Sequence, residues 1–433
     1  MTRTSLVTLL LATAGSTLAA HGQGLTESTI TASITQRFEA DSNYRLDNNP
    51  SGTTFFSDTR LGLDFTKETA TQQFNLGANI GLRLLWEADR PFDTTYADPA
   101  IARMRYSRDW ADGNFNGYLR YAYRRLDGLL TPLEPDFIPV VPDDLTRFDG
   151  TENRFDGGFS LALRTDSPSS YTFRLDATNV SYSDLDPDRT GEAVPRNSVN
   201  GEIVWRLRLN PILSTGVVAT YDYWQADNAT DNEIKTASID AGFIYDPDEN
   251  LNITAGIGYE DRTRRETIFG TRRDTEHDTG PAVRGSIRYD IPDFTLNAQA
   301  RVTTAAPETR WTGDFRVSYN LLRGDIFARG YRSYNGDSNG DESLNYGAGI
   351  GMNREINTIS RWGIDVYAVN QIDQDDPEVA DLDRIGAALR YTRDLTQDVS
   401  TTIGYRLRMR TEDGSAQSNA VFFTIGRSFS RRP

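Results

Sequence analysis

The sequence predicts an all-β fold: one transmembrane, antiparallel, up-and-down β-barrel of about 20 strands, within a range of about 16–20. Three observations predict it. Apolar and polar residues alternate at period two over segments of roughly ten residues or more. Short and long connections take turns between those segments. The face that would form the core of a soluble sheet is the polar one.

The first residues stand apart from this pattern. In Met1 to Gln23, Arg3 supplies a positive start, Leu6 to Ala14 a short apolar stretch, and Ala20 or Gly22 a small residue for cleavage. This reads as a secretory signal peptide. The division expected is a signal peptide over 1–22 and an outer-membrane barrel over 23–433. Alternation begins soon after the cleavage site, leaving no room for an N-terminal globular plug.

The strands follow in order. The clearest sets Phe74, Leu76, Ala78, Ile80, Leu82, Leu84 and Trp86 against Asn75, Gly77, Asn79, Gly81 and Arg83. A helix face repeats at 3.6 residues, so strict alternation excludes one. Phe294, Leu296, Ala298, Ala300 and Val302 repeat the pattern, as do Ile403, Tyr405, Leu407 and Met409. Soluble strands are shorter, usually about 5–6 residues, whereas tilted membrane crossings need about 9–11. Aromatic rings collect near strand ends on the apolar face: Trp86, Tyr106, Tyr259, Tyr289, Trp311, Tyr319, Trp362, Tyr391 and Phe429. Amphipathic rings at the two headgroup levels account for that placement.

The short connections expected are 67–71, 110–113, 165–169, 210–211, 247–250, 291–293, 321–324, 356–360 and 395–398. Mostly longer ones lie between them: 43–52, 87–98, 127–153, 185–196, 226–231, 261–278, 305–308, 335–342, 373–382 and 411–417. A long connection comes first and last, so both termini fall on the side of the short turns. Short periplasmic turns with longer outer loops are the habit of outer-membrane barrels.

Composition excludes other classes. Cysteine is absent, which removes disulfides and thiolate chemistry, and His21 and His277 are the only histidines. No cofactor or metal is expected, and no catalytic residues. A net charge of −16 argues against nucleic acid as a partner. No run of apolar residues is long enough for a membrane helix. Glu276–His277–Asp278, expected in an outer loop, reads as a polar loop tip rather than half of a rim hydrolase site. Asp337, Asn339 and Asp341 are not followed by a glutamate at the distance a calcium loop requires and read as a turn.

The last strand, Val421 to Phe429, resembles the C-terminal assembly signal of Gram-negative outer-membrane proteins, with Phe423, Ile425 and Phe429 in the matching places; Arg427 and the tail 430–433 depart from it. The turns Leu209–Asn210–Pro211–Ile212–Leu213 and Asp394–Leu395–Thr396–Gln397–Asp398, with Asp41–Ser42–Asn43–Tyr44, are similar to segments of the β-barrel porin type 2 family. That resemblance implies a porin-like outer-membrane barrel. It also implies barrel-assembly machinery as a partner, beside outer-membrane lipid and lipopolysaccharide.

Two features bear on function. The polar face carries Arg83, Arg103, Arg105, Arg120, Arg124, Arg206, Arg208, Arg284, Arg288, Arg316, Arg390, Arg406 and Arg408, with Glu39, Asp64, Asp176, Asp240, Asp314 and Asp365 the clearest acids. Guanidinium groups in a pore select anions, and Arg–carboxylate ladders can equally brace a wall. The loop 127–153 is long and acidic and holds Asp136, Phe137, Asp143 and Asp144, candidates for an inward constriction. The expected function is a pore for passive diffusion of small hydrophilic solutes with mild anion preference. The alternative is a barrel for polysaccharide export or surface assembly, working with a periplasmic partner. Oligomerisation is left open.

Overall fold

The computed structural model describes residues 27–44, 46, 48–50, 52–87, 93–125, 150–183, 194–227, 231–268, 271–304, 309–336, 342–373, 382–411 and 414–431. The first five strands are Glu27–Asp41 (β1), Thr54–Glu68 (β2), Gln72–Trp86 (β3), Asp93–Trp110 (β4) and Gly113–Arg125 (β5). Next come Thr151–Leu163 (β6), Ser169–Ser183 (β7), Arg196–Asn210 (β8), Leu213–Ala226 (β9) and Glu233–Asp248 (β10). The second half has Leu251–Ile268 (β11), Thr271–Ile291 (β12), Phe294–Thr303 (β13), Arg310–Leu321 (β14) and Gly324–Gly336 (β15). Glu342–Asn357 (β16), Ser360–Asp373 (β17), Leu382–Asp394 (β18), Val399–Thr411 (β19) and Ser415–Arg431 (β20) complete the chain. Each strand pairs with its sequence neighbours in one 20-stranded sheet, and β1 pairs with β20. The result is a closed antiparallel up-and-down barrel, which leaves no strand edge for lipid to meet.

Side-chain chemistry explains several of the short turns. Asn210 Oδ1 accepts the amides of Ile212 (3.0 Å) and Leu213 (2.8 Å), and Asp248 Oδ1 those of Asn250 (2.8 Å) and Leu251 (3.1 Å). Thr396 Oγ1 accepts from Asp398 (3.3 Å) and Val399 (3.1 Å). These Asx- and Thr-capped turns satisfy amides that a hairpin this tight would leave unpaired. Gly324 closes its turn at φ +135°, a conformation only glycine adopts without strain.

The two faces separate as the alternation predicts. Ile80, Ile257, Val283, Ile350, Leu389 and Val421 point outward and are exposed, Ile257 to 71 %. A continuous belt of such residues is intolerable in water and is what hydrocarbon requires. Aromatic rings on this face meet near the short turns: Phe65–Phe74 at 6.2 Å, Phe115–Phe159 at 6.2 Å and Tyr289–Phe294 at 6.1 Å. Arg427, the departure in the closing strand, also points outward. It lies 4.3 Å from the Phe429 ring centroid, so its charge rides on an aromatic of the girdle rather than in hydrocarbon.

Two expected connections are corrections, the first being 87–98, in which β4 already starts at Asp93 and pairs with β3. Nor are residues 261–278 an outer loop: β11 runs to Ile268 and β12 starts at Thr271. Their hairpin rises above β13, which pairs with β12 only from Ala282 downward. Arg262 with Glu276 (2.9 Å) and Arg265 with Asp274 tie the raised part together. Beyond the bilayer both strand faces are polar, so the period-two hydropathy signal vanishes while the ladder continues. His277 therefore sits on a strand, outward and exposed, 3.3 Å from Asp261. Asp136, Phe137, Asp143 and Asp144, the signal peptide, and Asp337, Asn339 and Asp341 lie outside the described residues.

Candidate functional site

The inner wall is the candidate site. On a closed barrel only the concave face brings side chains of next-but-one strands together, and the arginines do this repeatedly. Arg206 of β8 pairs with Asp246 of β10, and Arg301 of β13 reaches Asp240 of β10 (3.1 Å) and Glu260 of β11 (2.9 Å). Alternation from these anchors places all thirteen arginines expected from the sequence on the inner face.

Nine of the thirteen have a carboxylate partner. Arg103 pairs with Asp64 (2.7 Å), Arg124 with Glu152 through two 2.9 Å hydrogen bonds, and Arg390 with Asp365 (2.6 Å). Arg83 lies 3.6 Å from Asp58 and Arg120 3.6 Å from Asp156. Arg288 holds Asp290 loosely at 3.5 Å, with both groups exposed. Arg406 pairs with Glu39 and Arg408 with Asp41, as described next.

The densest part of the network lies over the seam between first and last strands. Glu39 and Asp41 of β1 face Arg406 and Arg408 of β19 across β20, and all four are buried. Arg408 donates to Asp41 (2.7 Å), to Ser418 Oγ (3.2 Å) and to the carbonyl of Tyr44 (3.1 Å). Ser418 donates to Asp41 at 2.6 Å. The first long connection is thereby drawn inward: Tyr44 packs on Phe56 and Leu85 of the inner wall, its ring centroid 5.8 Å from that of Phe56. Ser42 to Tyr44 thus covers the wall at the long-connection end. Their sequence gave no hydropathy signal, because one inward tyrosine in a polar segment looks like a loop residue.

The other four arginines differ. Among the described residues Arg105, Arg208, Arg284 and Arg316 form no ion pair. They stand on β4, β8, β12 and β14, in the half of each strand nearer its short turn or at its middle. Ion pairs brace the wall along its whole height, down to Arg206–Asp246, Arg390–Asp365 and Arg288–Asp290 near the short turns, and these four arginines add positive charge without a carboxylate partner in its lower half. Sequence reasoning missed much of the bracing: Asp58, Glu152, Asp156, Glu202, Asp246 and Glu260, with Arg37, Arg60, Arg154, Arg174, Arg262, Arg301 and Arg329. Parity could have found Arg37, Asp58, Arg60, Arg174, Glu202 and Asp246, each an even number of residues from a recognised wall residue on its own strand; the others stand on β6, β11, β13 and β15, where none had been recognised.

The same architecture recurs among solved structures. The ferric citrate transporter FecA in its unliganded form matches with a TM-score of 0.51 at 11 % identity, covering 93 % of this chain and 79 % of that one. The likeness is one of fold. The copper transporter OprC (TM-score 0.49, 12 % identity, 94 % of this chain, 84 % of that one) and Pseudomonas aeruginosa OccK5 (0.39, 8 %, 94 % and 98 %) also match and add nothing beyond it. No family model and no curated protein matches this chain. Resemblance to the β-barrel porin type 2 family therefore rests on the short motifs alone.

Proposed function

We propose that the chain is an outer-membrane pore that lets small hydrophilic solutes diffuse passively, with mild anion preference and no catalysis. On this reading residues 1–22 are removed on export, the barrel inserts among outer-membrane lipid and lipopolysaccharide, and the short turns face the periplasm. The observation that carries the reading is the pairing pattern of the wall. An apolar belt surrounds a polar interior whose acids are mostly held by arginine, while Arg105, Arg208, Arg284 and Arg316 form no ion pair among the described residues. Such groups attract anions, but at physiological salt the Debye length is about 8 Å, so a wide lumen discriminates only among ions that pass near the wall.

The test is conductance of the purified chain in planar bilayers, with the reversal potential read under a salt gradient. Stepwise channels and a reversal on the anion side are expected. Replacing Arg105, Arg208, Arg284 and Arg316 together with Gln should move the reversal toward zero or beyond. The paired arginines give a less direct test, because removing one lowers the fixed charge by the same unit but also frees a carboxylate and strains the wall. A silent barrel that co-purifies with a periplasmic protein would favour polysaccharide export or surface assembly, and cation preference in the parent would contradict the charge argument.

A further inference from the structure

Three recesses follow one another down the inner wall between β3 and β15. The upper, about 500 Å³, lies among Arg196, Asp222, Trp224 and Arg310. The middle, about 840 Å³, lies among Glu202, Arg284 and Asp314. The lower, about 760 Å³, lies among Asn75, Arg105, Tyr118 and Asp176. Arg196 and Arg310 open strands that follow long connections, and Asn75 is close to a short turn, so the three descend through the barrel. They are joined. Arg301 lines both the upper and the middle recess, and Arg174 both the middle and the lower.

The floor of the middle recess is bare backbone. Gly216, Gly242 and Gly256 stand side by side on β9, β10 and β11, between Arg206 and Arg284 in the same cross-strand row. A Cβ on Gly242 would meet the Ala255 carbonyl at 2.2 Å, so the wall turns too sharply there for any larger residue. Arg284 extends over this floor, its Nε 3.3 Å from where a Gly256 Cβ would lie, without a carboxylate partner among the described residues.

Most acids along the path are already engaged, Asp222 of the upper recess being without an ion pair among the described residues. Arg174 pairs with Glu202, Arg329 lies 3.5 Å from Asp314, Arg301 holds Glu260, and Tyr118 donates to Asp176 at 2.7 Å. Carboxylates paired with arginine have lone pairs left for hydroxyl donors but little net charge for an ammonium group, whereas Asp176, held by a neutral phenol, keeps its charge. The unspent positive charge is that of Arg284 and Arg105. Each recess has the volume of a small-molecule site, about 300–1,000 Å³. Trp224 and Tyr118 add flat apolar surface suited to the C–H face of a sugar ring.

We propose that this groove is a stepwise path for polyhydroxylated monoanions, the class of sugar acids. The carboxylate passes from Arg284 to Arg105 while the hydroxyls bond to the engaged acids, amides and Tyr118. The proposal rests on the pore reading above and adds a solute class to it.

The test is block of ionic current by D-glucuronate in planar bilayers containing the full chain. Glucuronate should half-block at about one-tenth the concentration needed of glucose, acetate or glutamine. Arg284→Gln and Arg105→Gln should each raise that concentration about tenfold, the loss of one charge-assisted contact. Lys67→Gln, outward near a short turn, should leave it alone. Both Arg variants remove an arginine without an ion partner, and a normal heat-dependent gel shift confirms that they fold. Equal block by glucose would show that the arginines do not select. Equal block by acetate would show that hydroxyls are not read, and by glutamine that the acids act as charges. Unchanged block in both variants would remove the assignment. A folded barrel that passes no current sinks the pore reading itself, a distinct result.

Discussion

Ile80→Arg should destabilise the barrel by about 2–4 kcal/mol, whereas Asn79→Arg, one residue away, should cost little. Ile80 points outward from the middle of β3 and is exposed on the apolar belt. An arginine there must hold its guanidinium in hydrocarbon or thin the bilayer around it. Asn79 lies on the opposite face, beside Gly62 on the polar wall, where another guanidinium meets water and carboxylates. Urea titration of the folded barrel in lipid vesicles, followed by the heat-dependent gel shift, reads the difference. Equal costs for the two substitutions would mean that β3 presents the same surroundings on both faces.

Asp41→Asn should cost about 3–5 kcal/mol, the penalty for leaving a buried charge without its partner. Asp41 is fully buried and accepts from Arg408, from Ser418 and from the Asn43 amide at 2.9 Å. Neutralising it strands Arg408 and loosens the inward turn that carries Tyr44. In the double variant Asp41→Asn/Arg408→Gln the loss should be well below the sum of the two single losses, because neither charge is then orphaned. The same urea titration gives both values, and strict additivity would reduce the seam pairs to coincidental neighbours. Since Glu39 and Arg406 brace the same seam, Glu39→Gln should follow the same pattern.

The barrel was legible because lipid and lumen impose opposite requirements on neighbouring residues. Along β3 and β19 the period-two pattern assigns every side chain to its face, and the strand count follows from the alternation of turns and loops. The pattern fails where one of the two solvents is missing. Above the bilayer the β11–β12 hairpin is wet on both sides, so residues 261–278 look like loop although they form a ladder held by Arg262–Glu276 and Arg265–Asp274. The arginine wall was legible as composition but not as pairing. Arg206 and Arg208 look alike in sequence, yet Arg206 meets Asp246 two strands away and Arg208 meets no acid among the described residues. Which arginine is spent depends on barrel curvature and cross-strand register, and a linear pattern contains neither. The inward turn at Tyr44 is hidden for a related reason, since its partners Phe56, Leu85 and Arg408 come from distant strands.

A chain without cysteine allows the central claim, a wet polar interior inside an apolar belt, to be tested residue by residue. Single cysteines at Asn75, Asn79, Ala78 and Ile80 sample both faces of β3 in purified barrels reconstituted in lipid. A charged, membrane-impermeant methanethiosulfonate reagent should modify the cysteines at 75 and 79 rapidly and shift the bilayer conductance as it does so. Those at 78 and 80 should resist it and react only with a membrane-permeant maleimide. Rapid modification at 78 and 80 with protection at 75 and 79 would invert the barrel, and equal reactivity at all four positions would contradict a membrane-spanning wall with a water-filled lumen.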